Sequence, residues 1–294
     1  MRALSLPLLV FALAFATGCP SATMSSTTVV LAAAPFEPTA ALQRLRNVPP
    51  FFIPGERMVW QVVVKPELGK HARRRLGNFV VEAEAIMAVG RPGVVDGERV
   101  IIVRSRVETG GMIAAMGARV TQEFITHLRM RDSGVVYRLF KADMMGKSQS
   151  VELTLRKGGY RRVRRRRGHT YKSFKRLPKG QVGYDVQSVL GMLRAWNPKP
   201  GTYAYFNVLT DHRYARHTVR FTGKTTLQTQ KGRRRAVRID GQVRRLRYNL
   251  IVDKYDKPSP YTVWLSDDGW RRPLRIAIQM KRAKVSFELI SYRR

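Results

Sequence analysis

Met58-Val59-Trp60-Gln61-Val62-Val63-Val64 puts Met58, Trp60, Val62 and Val64 on one side of an extended chain, because successive side chains of a strand point to opposite faces. The same period returns along the sequence. Phe79, Val81, Ala83, Ala85 and Met87 share a face, as do Ile101, Val103 and Val107, and then Leu153 with Leu155. Towards the C-terminus come Leu274, Ile276, Ile278 and Met280, followed by Val285, Phe287 and Leu289. Gly, Asp, Pro and Lys bound these runs, which is the punctuation of antiparallel strands with one buried face. Between Gly110 and Met130 the pattern is mixed: Met112, Ile113 and Met116 suit a short helix, and alternation resumes at Val120.

One segment departs from this period. Asp185 is a good N-cap, Val186, Val189, Leu190, Leu193 and Trp196 follow at helical spacing, and Pro198 stops the run. The expected fold is therefore mainly β: a large curved antiparallel sheet or half-open barrel packed on one main α-helix, so that both elements bury their apolar faces. The β-rich domain is placed at residues 51–294, after Pro49-Pro50, and no fixed-period repeat is visible. Upstream, residues 19–50 are rich in Ser, Thr, Ala and Pro and read as a flexible spacer, with a short helix possible from Thr39 to Arg46.

The first 18 residues read as a secretory leader. Arg2 precedes an apolar stretch, Leu4 to Ala16, that is too short to span a bilayer. Ala16-Thr17-Gly18-Cys19 then resembles the lipobox of bacterial lipoproteins, in which small residues precede a cysteine that becomes diacylated and forms the mature N-terminus. The family pattern prefers leucine where this chain has Ala16. Cleavage after Ala14-Phe15-Ala16 is the alternative; it would release a soluble protein and leave Cys19, the only cysteine, as a free thiol in an oxidising compartment. Lipidation of Cys19 is the expected outcome, and two acyl chains exceed the single-chain limit of marginal membrane binding. Pro20 in place of an aspartate implies, by the same resemblance, an outer-membrane destination facing the periplasm.

With 55 Lys and Arg against 20 Asp and Glu, the chain carries a formal charge of +35. Such a field favours anionic partners: phospholipid or glycolipid phosphates, acidic polysaccharide or nucleic acid. Nucleic acid is disfavoured by the leader, although Tyr160 and Tyr171 flank one basic run and would suit base stacking. The basic runs are Arg73-Arg74-Arg75, Arg161-Arg162 with Arg164, Arg165, Arg166 and Arg167, Lys231 with Arg233, Arg234 and Arg235, and Arg244, Arg245 and Arg247. Solvated strand edges that discourage aggregation are one account of them. The other is anion binding, for which the arginine fork suits phosphate better than lysine does; the candidate residues are Arg164–Arg167 and Arg233–Arg235.

No motif marks a reaction. Asp267-Asp268-Gly269 reads first as a hairpin turn, since Asp and Gly tolerate positive φ, and second as a pair of carboxylates for acid-base or cation chemistry. His71, His127, His169, His212 and His217 are scattered, with no HExxH and no cysteine pair, so no metal or cofactor is expected. Gly223-Lys224-Thr225-Thr226 fails the phosphate-loop spacing because Thr218 stands where a glycine is required.

Three patches carry a resemblance: Phe52-Ile53-Pro54-Gly55-Glu56, Asp185-Val186-Gln187-Ser188, and Trp264-Leu265-Ser266-Asp267-Asp268 with Arg272-Pro273-Leu274. Together they resemble an uncharacterised envelope family of Gram-negative bacteria, domain of unknown function 3108. In that family the helix continues with aromatic residues and an arginine; here Gly191, Met192 and Leu193 replace the aromatics and Arg194 keeps the arginine. The resemblance implies a periplasm-facing β-rich domain, similar in shape to carriers that shelter lipoprotein acyl chains. The expected function is a non-enzymatic envelope lipoprotein binding lipid, glycolipid or another anionic component, with an assembly scaffold without a pocket as the alternative, and an enzyme on envelope polymers third. Protein partners are not indicated.

Overall fold

Sixteen strands and one helix make up the computed structural model, which describes residues 31–39, 41–67, 80–110, 119–144, 146–178, 181–209, 214–247, 250–253, 255–281 and 283–294. The strands are β1 Gln43–Arg44, β2 Arg57–Pro66, β3 Val81–Val89, β4 Gly93–Val95, β5 Glu98–Thr109, β6 Val120–Arg129, β7 Val135–Met144 and β8 Lys147–Arg156. They continue with β9 Gly159–Arg166, β10 His169–Arg176, β11 Tyr203–Leu209, β12 Tyr214–Thr229, β13 Gly232–Arg245, β14 Ser259–Ser266, β15 Pro273–Met280 and β16 Ala283–Arg293; α1 is Val186–Ala195. The leader and Cys19, Met112, Ile113, Met116, Arg73–Arg75, Phe79, His71 and His212 lie outside the described residues.

All strands join one sheet in the order β1-β11-β12-β13-β14-β15-β16-β2-β3-β5-β6-β7-β8-β9-β10, with β4 pairing only β5. The sheet is open: β1 and β10 stand at the ends of the order. It also curls, since contacts join strands far apart in that order. The Arg138 guanidinium of β7 donates to the Leu209 carbonyl of β11 at 3.1 Å, and Lys175 of β10 lies 5.3 Å from the Tyr214 ring of β12.

Alternation sorts the two faces. Met58, Trp60, Val62 and Val64 join Val81, Ala83, Ala85 and Met87, then Ile101, Val103 and Leu153, in one buried apolar cluster. A second cluster combines Val189, Met192 and Leu193 of α1 with Phe206, Val219, Phe221, Ile239 and Leu265 of four strands. Removing these side chains from water supplies most of the folding free energy, on the order of 2 kcal/mol for each large one. Val186 is an exception to the expected helix stripe, being 53% exposed, and Met192 is fully buried. The Asp185 side chain caps the helix by accepting from the Ser188 N–H at 2.8 Å, while Ser188 reciprocates to the Asp185 N–H.

The structure corrects two other readings. Gln43–Arg44 is a strand and not part of a helix: it pairs in parallel with Ala204 and Tyr205, where the edge of β11 offers unpaired backbone groups that a short isolated helix could not match in stability. Leu274 does not share a face with Ile276 and Ile278. Pairing slips between Trp264 and Leu265, and Leu274 packs with Trp264, Leu227, Ala236 and Ala277 on the opposite side of the sheet.

The stretch read as a spacer runs across that outer face. The Ala33 N–H donates to Thr262 Oγ1 at 3.0 Å, Phe36 exchanges hydrogen bonds with the Gln242 amide, Glu37 pairs with Arg244, and Thr39 reaches the Tyr203 hydroxyl. Further on, the Val48 carbonyl accepts from the Ser133 hydroxyl at 2.6 Å.

Candidate anion-binding site

The run Arg164–Arg167 finishes β9 and forms the turn into β10. Arg167 and Gly168 both have positive φ, 51° and 76°, which is the backbone that a tight two-residue hairpin requires. Register divides the run between faces. Arg164 sits opposite Tyr171, and Arg166 opposite His169, on the side that carries the buried Tyr160; Arg165 sits opposite Thr170 on the other side. Arg165, Arg166 and Arg167 are exposed, and Arg164 is half-buried.

Arg165, Arg166 and Arg167 line a cleft of about 650 Å³ with Lys141 and Lys147, between the tips of the β7–β8 and β9–β10 hairpins. Its lining carries two carboxylates, and both are engaged: Glu123 pairs with Lys141 at 3.6 Å, and Asp143 accepts from the Gly146 N–H at 3.1 Å. Arg165 also lies 3.6 Å from Glu152. Five cations against two carboxylates leave this cleft positive, and Ser148, Ser150 and Gln149 add neutral hydrogen-bonding groups.

Arg233–Arg235 do not belong to it. Ten antiparallel pairings separate β13 from β9, so the two strands run in the same sense. Arg164–Arg166 finish β9, whereas Arg233–Arg235 begin β13. The two basic groups therefore lie at opposite rims of the sheet. All of Arg233, Arg234 and Arg235 are exposed; Arg235 pairs with Asp267 at 3.1 Å, and Lys224 shares that carboxylate at 3.2 Å.

The remaining candidates resolve into structure. Tyr160 is buried, with its hydroxyl donating to the Val135 carbonyl at 2.6 Å, so only Tyr171 of the two flanking tyrosines offers a ring to solvent. Asp268 accepts from the Trp270 and Arg271 N–H groups and pairs with Arg272. Burial works against its charge, but hydrogen bonds from Ser266 and Arg272 hold its carboxyl below the usual range. The turn there is real, but the residue at positive φ is Arg271, at 48°, and not Gly269. Lys224 and its neighbours lie within β12, next to a bulge where Gly223 adopts φ 107°. No group of three or more His, Cys, Asp or Glu side chains among the described residues can hold a metal ion.

His217 is half-buried: its ring stacks on Phe206 at 5.3 Å and its Nδ1 lies 3.3 Å from the Tyr261 hydroxyl. Burial pushes its pKa down to about 3, and burial keeps the Tyr261 hydroxyl protonated, so Tyr261 donates to a neutral imidazole. An unfolded chain binds the proton near pH 6.5, so this histidine contributes stability that is present above that value and lost as pH falls towards 3. His217→Gln should flatten the acid limb by about 1.4 kcal/mol per pH unit below pH ~6.5. Urea unfolding free energies measured against pH test it, and parallel slopes for the two proteins would refute the assignment.

Glu56, which ends the first of the three patches, meets the far end of the helix that the second patch opens and the turn that follows the third. Arg194, in the last turn of α1, makes a two-pronged pair with Glu56 at 2.5 and 3.0 Å, both side chains having no exposure. Its remaining donors reach the Trp270 and Arg271 carbonyls, just beyond Asp267-Asp268. Phe51 and Phe52 lie 5.2 and 5.6 Å from the guanidinium, and the Tyr292 hydroxyl donates to Glu56 at 3.2 Å. Gly191 permits this approach, since a Cβ there would stand 2.6 Å from the Phe52 ring. The sequence did hold a signal: Arg194 follows Leu190 by four residues on the apolar stripe, and a buried arginine demands a partner.

An open antiparallel sheet with one capped helix, closed by a buried ion pair and edged with cationic hairpins, is the class these features define. The chain belongs to the family of proteins of unknown function catalogued as DUF3108, whose model matches residues 73–289. No curated protein matches the chain. Among solved structures it is similar to a Bacteroides fragilis NCTC 9343 protein, provisionally named an exported protein with a YmcC-like fold: 9% identity over 84% of this chain and 100% of that one, TM-score 0.35. It is also similar to a protein of Parabacteroides distasonis ATCC 8503, provisionally named a lipoprotein: 8% identity over 85% of this chain and 100% of that one, TM-score 0.30. No helix among the described residues is long and apolar enough to cross a membrane.

Proposed function

We propose that this protein is a non-enzymatic envelope lipoprotein, held to a membrane by acyl chains on Cys19, whose sheet binds phosphate groups of an anionic lipid or glycolipid. The observation that carries the binding is the positive cleft, where Arg165, Arg166, Arg167, Lys141 and Lys147 outnumber two engaged carboxylates. It opens at hairpin tips where exposed arginines stand beside serine and glutamine side chains, and the planar arginine fork suits the phosphate of a head group. The leader and lipobox support the anchor, and the names borne by the two similar structures agree with an exported protein.

Binding of the full chain to micelles of a phosphorylated glycolipid tests the reading. Arg165→Glu with Arg166→Glu should weaken it about tenfold or more, and raised salt should weaken the native protein in the same direction. Equal affinity for the dephosphorylated glycolipid would rule out phosphate recognition. For the anchor, the mass of the mature N-terminal peptide decides: acyl chains on Cys19 are expected, and an unmodified thiol refutes them.

A further inference from the structure

From where the N-terminal segment leaves the sheet, and from the charge around that point, we infer that the rim formed by the β12–β13 turn is the surface that docks on the anionic membrane holding the anchor. This rests on the anchored reading above. The Arg165–Arg167 cleft, at the other rim, then faces away from that membrane and takes its ligand from elsewhere.

The path of residues 32–39 sets the direction. Glu37 pairs with Arg244 and Phe36 bonds Gln242, while Ala32 packs against the cluster of Ala236, Trp264, Leu227 and Ala277. Followed backwards, the chain descends β13 from Arg244 towards Ala236, four residues from the Gly232 turn. Leu31 is exposed at that point. Only 12 peptide steps separate Cys19 from Leu31, which span at most about 43 Å when fully extended. The nine steps along β13 from Ala236 to Arg245 rise about 30 Å in the opposite direction. A tether laid back along the sheet would spend most of its reach getting to the other rim, while the β12–β13 rim lies beside its point of exit.

The chemistry of this rim suits lipid head groups. Lys231, Arg233 and Arg234 are exposed, and Asp267 is already shared by Arg235 and Lys224. The neighbouring β14–β15 turn is joined to the tip by the Asp267 N–H, which donates to the Arg235 carbonyl at 3.2 Å. That turn presents Trp270, 40% exposed, with the Arg294 guanidinium 4.6 Å from its ring. Cations beside a half-exposed tryptophan match the membrane interface, where indole rings settle at head-group level and basic side chains meet phosphate. Acyl chains and a basic patch together make the two-signal attachment that holds a protein stably.

The test uses the acylated full chain in phosphatidylcholine vesicles containing phosphatidylglycerol, with a fluorophore at Lys231→Cys or at Thr170→Cys. Acylation consumes the one native thiol, so each protein carries a single label. Head-group spin-labelled lipid should quench the label at 231 and leave that at 170 bright. Arg233→Glu with Arg234→Glu should bring quenching at 231 down to the level seen at 170. Equal quenching at both positions, stronger quenching at 170, or indifference to the charge reversals overturns the docking surface while leaving acylation of Cys19 standing. If mass spectrometry finds Cys19 bare, the anchored reading fails on its own, and the surface is judged with the same labels in a Cys19→Ser background. There, preferential quenching at 231 and an about tenfold loss of vesicle binding on charge reversal uphold it, and the opposite pattern overturns it.

Discussion

Arg194→Ala is expected to lower the unfolding free energy by about 4 kcal/mol, which a urea midpoint measurement would register as a large shift at unchanged m-value. The cause lies in what is left behind. Glu56 would remain a fully buried carboxylate with only the Tyr292 hydroxyl and its own backbone contacts. The Trp270 and Arg271 carbonyls would lose their donors, and the space between Phe51 and Phe52 would open. Arg194→Met combined with Glu56→Leu removes both charges at similar volume, and buried pairs treated this way often lose little. The double variant should therefore be more stable than Arg194→Ala. A loss below about 1 kcal/mol for Arg194→Ala would show that the pair is not what joins the helix to the start of β2 and to the β14–β15 turn.

How far the sequence could be read depends on whether a feature is carried by side-chain period or by backbone partners. Alternation exposed the strands because the buried face repeats every second residue, and Met58 to Val64 behave as that period requires. The capped helix was legible for a similar reason: Asp185 and Ser188 announce the start of α1 through local hydrogen bonds. Sheet order is another matter. Nothing in the side chains of β2 announces that β16 and β3 are its neighbours, since those bonds run between backbone groups common to every residue. For the same reason the opposite placement of the two arginine groups was invisible; each run reads alike in sequence, and only the count of antiparallel pairings separates them. Gln43–Arg44 shows the complementary failure, a sequence with weak helical character whose conformation is decided by the free edge of β11. Leu274 fails through a bulge, a one-residue slip that reverses facing.

Asp240→Ala should cost about 3 kcal/mol and loosen the N-terminal segment at the same time. Asp240 is buried on β13 and accepts from Arg220 and Thr222 at 3.1 Å, from Arg238 at 2.9 Å and from Thr262 at 3.0 Å. Its hydrogen bond is the first reason that the Arg220 guanidinium holds its proton more tightly than usual. Alanine would leave two guanidinium groups facing each other across β12 and β13 with no anion between them, each about a third exposed, so water recovers part of the loss. The effect reaches further through Thr262. Its hydroxyl donates to Asp240 and accepts the Ala33 N–H, so the carboxylate orients the oxygen that holds the start of the segment. Arg220 likewise lies 5.2 Å from the Phe36 ring and depends on Asp240 for its position. Hydrogen exchange of residues 33–39 should therefore quicken in Asp240→Ala by more than in a variant of equal global instability elsewhere, such as Gly241→Ala, whose new Cβ would meet the Tyr261 ring on the opposite face. If the two variants exchange alike there, the segment is held by Gln242, Arg244 and Tyr203 without help from Asp240. The rim at which the chain leaves the sheet would then be set without the Asp240 network, and charge at the β12–β13 turn would have to orient the domain without help from a tightly held N-terminal segment.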